Sequence, residues 1–193
     1  RKDVGIIYSA TDYELIKQFN KSNWEPYDTF QFVSVGRFHW VKGYHYALTA
    51  VKNLQDNNIS VHYTIIAQDQ PTEEILYQID DLSIQDNVTL IRFDAQDDVY
   101  RKMSSSDCML LPSVEEGIAN VVLEAMAIGL PVISSDCGGM REIIDHGKNS
   151  FLFCNRDVDN LTQIMTDMIN LDSKERRMMA EIASIKIKKK YNL

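Results

Sequence analysis

Short apolar runs alternate with amphipathic segments through most of the chain. The run from Phe30 to Val35 ends at Gly36, and the segment that follows, Tyr44 to Leu54, repeats its apolar residues with helical spacing. The same order recurs, with predicted strands at 61–67, 88–91, 109–111, 132–133 and 151–153 and predicted helices at 73–82, 97–103, 117–128, 141–144, 158–171 and 174–189. Strands separated by helices pair in parallel. The sequence therefore predicts an α/β fold, a doubly wound, Rossmann-like parallel sheet with helices on both faces.

The residues before this pattern differ from it. Gly5 to Tyr8 form a brief apolar segment, Thr11 is a candidate cap for a helix that runs to Phe19, and 22–29 have the composition of a loop. Because the alternation starts only near residue 31, we interpret the beginning as a tail from an upstream domain. The predicted organisation is a linker or tail over 1–30, the Rossmann-like domain over 31–171 and a C-terminal helix over 172–193.

Charge and hydropathy narrow the classes of function. A net charge of −8 argues against a nucleic-acid surface as the main role, because such surfaces carry an excess of Lys and Arg. No apolar run approaches the roughly 18 residues that span a bilayer. One basic cluster near the end is either a solvated helix face or a contact with an anionic membrane surface: Lys186, Lys188, Lys189 and Lys190.

The cysteines indicate a reducing compartment. Their number is odd, none has C-x-x-C spacing, and each has apolar neighbours, so we expect three buried thiols: Cys108, Cys137 and Cys154. Residues 1–8 lack the apolar stretch and cleavage site of a secretory signal. We expect a cytoplasmic location, with the lysine cluster offering peripheral contact with the inner face of a membrane.

The first candidate cluster runs from Gly36 to Gly43 and connects a predicted strand to a helix. Arg37 and Lys42 place two cations near a helix start, where backbone N–H groups already favour anions. Such a pair could bind a diphosphate, or it could be two solvated bases on a surface loop. The G-x-x-x-x-G-K-[ST] spacing of a P-loop is absent.

The second cluster contains two glutamates, Glu116 and Glu124. On a helix from 117 they would lie about 12 Å apart along the axis and about 80° apart around it. That is too far for the carboxylate pair of a glycoside hydrolase, roughly 5 to 10 Å, but it suits a long ligand. Glu124 lies among apolar residues and needs a partner such as a sugar hydroxyl. The alternative is that Glu116 only stabilises the helix start and that Glu124 pairs with a neighbouring residue. Phosphate could bind at the N–H groups of Gly117, Ile118 and Ala119.

A third, weaker cluster contains Gly138 and Gly139, followed by Glu142. Paired glycines after a strand allow the backbone to approach a ligand closely. All three clusters follow predicted strands, which is where open α/β sheets bind ligands.

Together these residues resemble the family-4 retaining glycosyltransferases of the GT-B architecture, over roughly Phe32 to Phe153. The resemblance rests on Gly36-Arg37…Lys42-Gly43, on Pro112-Ser113…Glu116-Gly117…Glu124-Ala125-Met126-Ala127…Gly129…Pro131-Val132-Ile133, which carries the E-x7-E signature, and on Gly138-Gly139…Glu142. It implies a C-terminal donor domain that transfers a hexosyl unit from a UDP- or GDP-linked sugar with retention. It also implies a glycan or lipid-linked acceptor held mainly by an N-terminal domain, in cell-surface polysaccharide synthesis.

By this resemblance, Arg37 and Lys42 bind the diphosphate, Glu124 binds the ribose, and Glu116 contacts the donor sugar. No metal or other cofactor is implied. The implied catalytic residues are Glu116, Arg37 and Lys42, and the implied donor-binding residues are Gly36, Arg37, Lys42, Glu116, Gly117, Ile118, Ala119, Asn120, Val121 and Glu124.

Two departures from the family pattern stand in the sequence. Ala67-Gln68-Asp69 replaces a frequent Gly-x-Gly after the second strand, and Ile118 replaces a frequent aromatic residue.

Alternatives to the transferase are a nucleotide-sugar epimerase or a phosphorylase of the same fold, and a non-catalytic interaction module.

Overall fold

A computed structural model of the chain describes residues 10–25 and 28–193. The sheet has six strands in the order β3-β2-β1-β4-β5-β6, and all neighbouring strands pair in parallel. Their bounds are β1 Phe30–Val35, β2 Val61–Ile66, β3 Val88–Ile91, β4 Cys108–Leu111, β5 Val132–Ser135 and β6 Phe151–Phe153. The order reverses between β1 and β4, which pair with each other. The predicted doubly wound sheet is confirmed.

Helices cover both faces of this sheet. They are α1 Tyr13–Lys17, α2 Tyr44–Asp56, α3 Glu73–Asp81, α4 Gln96–Ser105, α5 Asn120–Ile128, α6 Met140–Ile143, α7 Val158–Asn170 and α8 Ser173–Lys190. One apolar cluster joins a face of the sheet to α1, α4, α5, α6 and α8. A second joins the other face to α2, α3 and α7. No helix in the described part of the chain has both the length and the apolarity needed to cross a membrane.

The start of the described chain packs against the domain. Asp12, not the predicted Thr11, caps α1 by accepting from the Leu15 N–H at 3.0 Å, and the helix ends at Lys17 instead of Phe19. Thr11 is engaged elsewhere, because its backbone forms a bridge with Asn192. The predicted apolar segment Gly5 to Tyr8 lies outside the described residues. The divisions at residues 30 and 171 stay predictions.

Two further expectations were wrong. The helix predicted from Gly117 begins only at Asn120, because the Gly117 carbonyl accepts a tertiary hydrogen bond from the Gly139 N–H at 2.9 Å. Cys154 is exposed in the turn after β6, whereas Cys108 and Cys137 are buried thiols as predicted.

Two members of the basic cluster form ion pairs within the chain. Lys186 lies 2.9 Å from Asp145, and Lys188 lies 3.3 Å from Glu14. These contacts agree with a helix face that packs partly against its own domain, and contact with a membrane stays a prediction.

Candidate functional site

The crevice at the strand reversal is where the first two sequence clusters meet. The loop after β1 begins at Gly36 and the loop after β4 begins at Pro112. Because β1 and β4 are neighbours in the sheet, both loops leave its carboxyl edge side by side. This is the position at which doubly wound folds bind their ligands.

Gly43 allows the two loops to touch. Its φ is 63°, and a Cβ at this position would lie 2.0 Å from the Pro112 carbonyl oxygen. The Val114 N–H donates to the Val41 carbonyl across the same contact at 2.7 Å. Only glycine fits here, and it allows the loop after β1 to pack directly against the loop after β4.

Lys42 and Glu116, which are 74 residues apart in sequence, meet across that contact. Lys42 Nζ lies 2.7 Å from Glu116 Oε1, and Ser113 Oγ donates to the same oxygen at 2.8 Å. The Lys42 and Glu116 side chains are 24% and 16% exposed, so the pair is shielded without being sealed from solvent. The fold therefore brings together two predicted site residues, and it adds Ser113, a buried hydroxyl to which the sequence assigned no role.

Gly36 leaves space for the Lys42 side chain, because it has no Cβ. A Cβ there would meet the Tyr44 hydroxyl at 3.0 Å and Lys42 Cε at 3.3 Å. The Tyr44 hydroxyl donates to the Gly36 carbonyl at 2.9 Å, which fixes the loop. Burial raises the pKa of Tyr44 well above its ordinary value, so the hydroxyl stays protonated as a donor.

Arg37 is the exposed cation of the site. With Gly36, Gln68, Phe93 and Gln96 it lines a pocket of about 240 Å³ between the carboxyl ends of β1, β2 and β3. Within 10–25 and 28–193, Arg37 makes no ion pair. A cation without a carboxylate partner at the rim of a pocket is suited to an anionic ligand.

Glu124 lies on α5 beside the buried Tyr100 of α4, outside the residues that line the pocket. Burial raises the pKa of Glu124, and a hydrogen bond with Tyr100 opposes this shift. Burial also raises the pKa of Tyr100 to about 12. The expected need of Glu124 for a hydroxyl partner is therefore met in the free chain by tyrosine.

The segment between the glutamates differs from the sequence interpretation. Gly117, Ile118 and Ala119 precede α5, so Glu116 stands in a loop and the calculated helical separation of the glutamates does not apply. Ala119 offers no side-chain cap, which leaves the first-turn N–H groups of Asn120 and Val121 for other acceptors.

Gly138 and Gly139 support this loop. A Cβ on Gly138, whose φ is 52°, would lie 1.5 Å from the Glu116 carbonyl oxygen. A Cβ on Gly139 would lie 2.9 Å from Ile118 Cγ1. The paired glycines thus allow a close backbone approach to the Glu116–Ile118 segment, and their approach to a ligand stays a prediction.

Asp69 is a further residue that the sequence did not assign to the site. Its carboxylate accepts from the Phe38 N–H at 2.9 and 3.1 Å and ties the loop after β2 to the loop after β1. In the sequence, Asp69 was visible only as a departure from a glycine pattern. In the part of the chain that the structure describes, no group of three or more His, Cys, Asp or Glu side chains could hold a metal ion.

Solved structures of known proteins share this fold. HepE of Anabaena in complex with UDP superposes with a TM-score of 0.83 and 23% identity, over 97% of this chain and 53% of that one. The C-terminal domain of LpcC, a glycosyl transferase group 1 family protein from Francisella tularensis, gives 0.74 and 20% identity over 96% of both chains. These likenesses show that the chain has the same α/β fold as these two structures.

The model of the family described as glycosyl transferases group 1 matches residues 16–185, and the chain belongs to this family. It is 33% identical over 139 residues to the amylovoran biosynthesis glycosyltransferase AmsK of Erwinia amylovora, which covers 69% of this chain and 34% of AmsK. It is 27% identical over 173 residues to WcaL of Escherichia coli (strain K12), whose name assigns it to colanic acid biosynthesis, over 86% of this chain and 43% of WcaL. The chain thus spans less than half the length of these relatives, both named for polysaccharide biosynthesis.

Proposed function

We propose that this chain is the nucleotide-sugar-binding domain of a retaining glycosyltransferase that transfers a hexosyl unit to a glycan or glycolipid during cell-surface polysaccharide synthesis. The observation that carries the proposal is the 2.7 Å contact between Lys42 Nζ and Glu116 Oε1 at the strand reversal. It joins the cation of one motif to the carboxylate of the other, and Arg37, close by in sequence, lines a pocket beside them.

In this proposal the donor diphosphate binds between Arg37 and Lys42, and the first-turn N–H groups of α5 add neutral donors. Glu116 and Ser113 hold Lys42 before the donor arrives, so little reorganisation is needed. Glu116 contacts the donor sugar, and Glu124 exchanges Tyr100 for the ribose hydroxyls. The two cations supply the positive charge, and the site works without a metal.

The proposed reaction is a front-face displacement. The acceptor oxygen bonds to C1 of the donor sugar while the bond from C1 to the phosphate oxygen breaks. The acceptor proton passes to the departing phosphate, and the nucleoside diphosphate leaves with its charge balanced by Arg37 and Lys42. Because acceptor and donor must be held in line, the isolated chain is expected to transfer no sugar at an appreciable rate.

Thermal unfolding against UDP-, GDP- and ADP-sugars tests the proposal. At a hundredfold excess over Kd, a ligand of the folded state raises the midpoint by roughly 5 °C or more. We expect one nucleotide class to do so, and we expect Lys42→Ala and Glu124→Ala to remove most of the shift. The matched control is Lys52→Ala, which breaks a 2.8 Å ion pair with Asp56 on α2. Equal shifts in all variants would refute the assignment of the donor site, and no shift in any would favour the interaction module.

A further inference from the structure

A second pocket lies beside the candidate donor site and takes no part in it. It has a volume of about 420 Å³ and lies between the loop after β1 and helix α3. Its volume falls within the range of roughly 300 to 1,000 Å³ that is typical of small-ligand pockets. None of its lining residues was assigned a role above except Tyr44 and the anchored backbone of Phe38, so the pocket requires its own explanation.

The lining of this pocket is rich in rings and poor in aliphatic side chains. Five of its nine lining residues carry rings and one is aliphatic, which distinguishes it from a lipid-binding cleft. The Phe38 and Tyr44 rings pack edge to face, with centroids 5.7 Å apart. The His39 and Trp40 rings lie 5.8 Å apart with 35° between their planes, and Trp40 is 66% exposed. An exposed indole on a ring-lined pocket presents a flat apolar face for stacking.

The polar groups of the pocket are acceptors and neutral donors. Glu74 and Gln78 line one wall, and no Lys or Arg is among the described residues that line it. His39 Nδ1 accepts from the Val41 N–H at 3.4 Å, which leaves Nε2 as the ring nitrogen that can donate. A carboxylate in a lining that has no Lys or Arg disfavours phosphate or any other anion. Flat rings beside acceptors and donors suit the C–H faces and hydroxyls of a neutral sugar.

The pocket is rigidly connected to the donor site. Trp40 and Lys42 belong to the same 3₁₀ turn, Trp40–Lys42, whose rise of about 2 Å per residue keeps them about 4 Å apart along the turn. The Asp69 carboxylate anchors the Phe38 N–H at the start of this segment. A sugar stacked on Trp40 would therefore lie within a few sugar units of a donor held by Lys42.

We propose that this pocket binds a neutral saccharide segment of the acceptor, with Trp40 as the stacking platform and Glu74 as a hydroxyl acceptor. This inference rests on the proposed function, because it assigns the bound saccharide to the acceptor of the same transferase. It places part of acceptor recognition on this domain.

Tryptophan emission provides a direct test. The chain has two tryptophans, so Trp24→Phe leaves Trp40 as the only indole. We expect saturable quenching or a blue shift of its emission with at least one of maltotriose, cellotriose, mannotriose, galactotriose and N-acetylchitotriose at millimolar concentration. Calorimetry on the otherwise unchanged chain should then show binding about tenfold weaker for Trp40→Ala. Glu74→Gln should weaken it severalfold.

The matched control is Tyr77→Ala, which removes another exposed ring, 70% accessible, on α3 outside the pocket lining. It should leave saccharide binding unchanged. No saturable change with any of the trisaccharides, or equal binding by Trp40→Ala, would overturn the inference. Nucleotide-sugar midpoint shifts that persist in those cases would leave the proposed function standing. Saccharide binding at Trp40 without any nucleotide-sugar shift would instead overturn the proposed function and the acceptor role with it.

Discussion

Two clusters of charge lie at opposite ends of the same pair of strands, and they are built differently. The closed cluster, at the amino ends of β1 and β4, consists of Lys21, Asp107 and Arg176. The open cluster, at the carboxyl ends, consists of Arg37, Lys42, Ser113 and Glu116. The Lys21 and Asp107 side chains are 2% and 5% exposed, against 24% and 16% for Lys42 and Glu116.

The polar atoms of the closed cluster contact other groups of the protein. Lys21 Nζ donates to the Ser106 carbonyl at 2.7 Å and lies 3.7 Å from Asp107, whose other oxygen accepts from the Gln31 N–H at 2.9 Å. Burial lowers the pKa of Lys21, the charge of Asp107 opposes this, and that of Arg176 adds to it. A buried cluster with its partners in place links segments of chain, whereas a partly exposed one can exchange partners with a ligand.

The largest expected effect is on stability and comes from the closed cluster. Asp107→Asn keeps the shape but leaves the buried Lys21 without its carboxylate partner and close to the charge of Arg176, so we expect a loss of about 3 kcal/mol or more in the free energy of unfolding. Urea denaturation measures it. As a control, Asp94→Asn breaks an exposed pair with Arg92 and should cost less than about 0.5 kcal/mol. Similar small losses for both would show that the closed cluster is not structural.

The second effect concerns the contact that holds the open cluster in place. Gly43→Ala drives a Cβ to within 2.0 Å of the Pro112 oxygen, and we expect a loss of about 2 kcal/mol or more with weaker nucleotide-sugar binding. Gly147→Ala is the matched control, because its φ of 74° is similar but nothing lies within 4 Å. It should cost about 1 kcal/mol and leave binding unchanged. Equal losses for both would mean that the loops can separate.

The third effect should fall on binding instead of stability. Glu116→Gln removes one charge of the partly exposed pair, and we expect the free energy of unfolding to change by less than about 1 kcal/mol. Nucleotide-sugar affinity should fall about tenfold, because Lys42 loses the partner that positions it. Glu115→Gln, an exposed neighbour, is the control for both measurements. A loss of stability as large as that of Asp107→Asn would erase the distinction between the clusters.

The sequence predicted the sheet better than the contacts between loops. The bounds of β1 and β3 match the predicted Phe30–Val35 and Val88–Ile91 because apolar runs between turn residues are local signals. The start of α5 was wrong because a hydrogen bond from Gly139, 22 residues away from Gly117, decides it. Lys42 and Glu116 belong to two separate motifs of the family resemblance, and the sequence did not show that they touch. The pairing of β1 with β4 brings their side chains to 2.7 Å.

The closed cluster was not predicted at all. Lys21 lies in a segment interpreted as linker, where a lysine normally means solvent. Its burial depends on Ser106 and on α8, both far away in sequence. Ser113 likewise gave no signal beyond its place in a motif, because a hydroxyl has no sequence pattern that identifies its acceptor.

The smallest expected effect on stability comes from Glu124, a carboxylate that belongs to neither the open nor the closed cluster. Glu124 is partly buried, and the partner found for it is a hydroxyl, that of Tyr100. Because burial raises its pKa above the ordinary value, the folded state holds the proton more tightly than the unfolded chain. Stability is therefore lost as pH rises from the unfolded pKa through the folded one, and the loss is complete above both.

Glu124→Gln removes that penalty, so we expect it to raise the free energy of unfolding at pH 7 by less than about 1 kcal/mol, and by less still at pH 4. Urea denaturation at the two pH values measures this, with Glu115→Gln as the exposed control. Nucleotide-sugar affinity should move the opposite way and fall, because an amide is a weaker acceptor for ribose hydroxyls than a carboxylate. If Glu124 lowers stability and improves binding, it belongs to the nucleotide-sugar site at the carboxyl ends of the strands. A loss of stability at pH 7 without a change in affinity would assign Glu124 to the architecture of α4 and α5 instead.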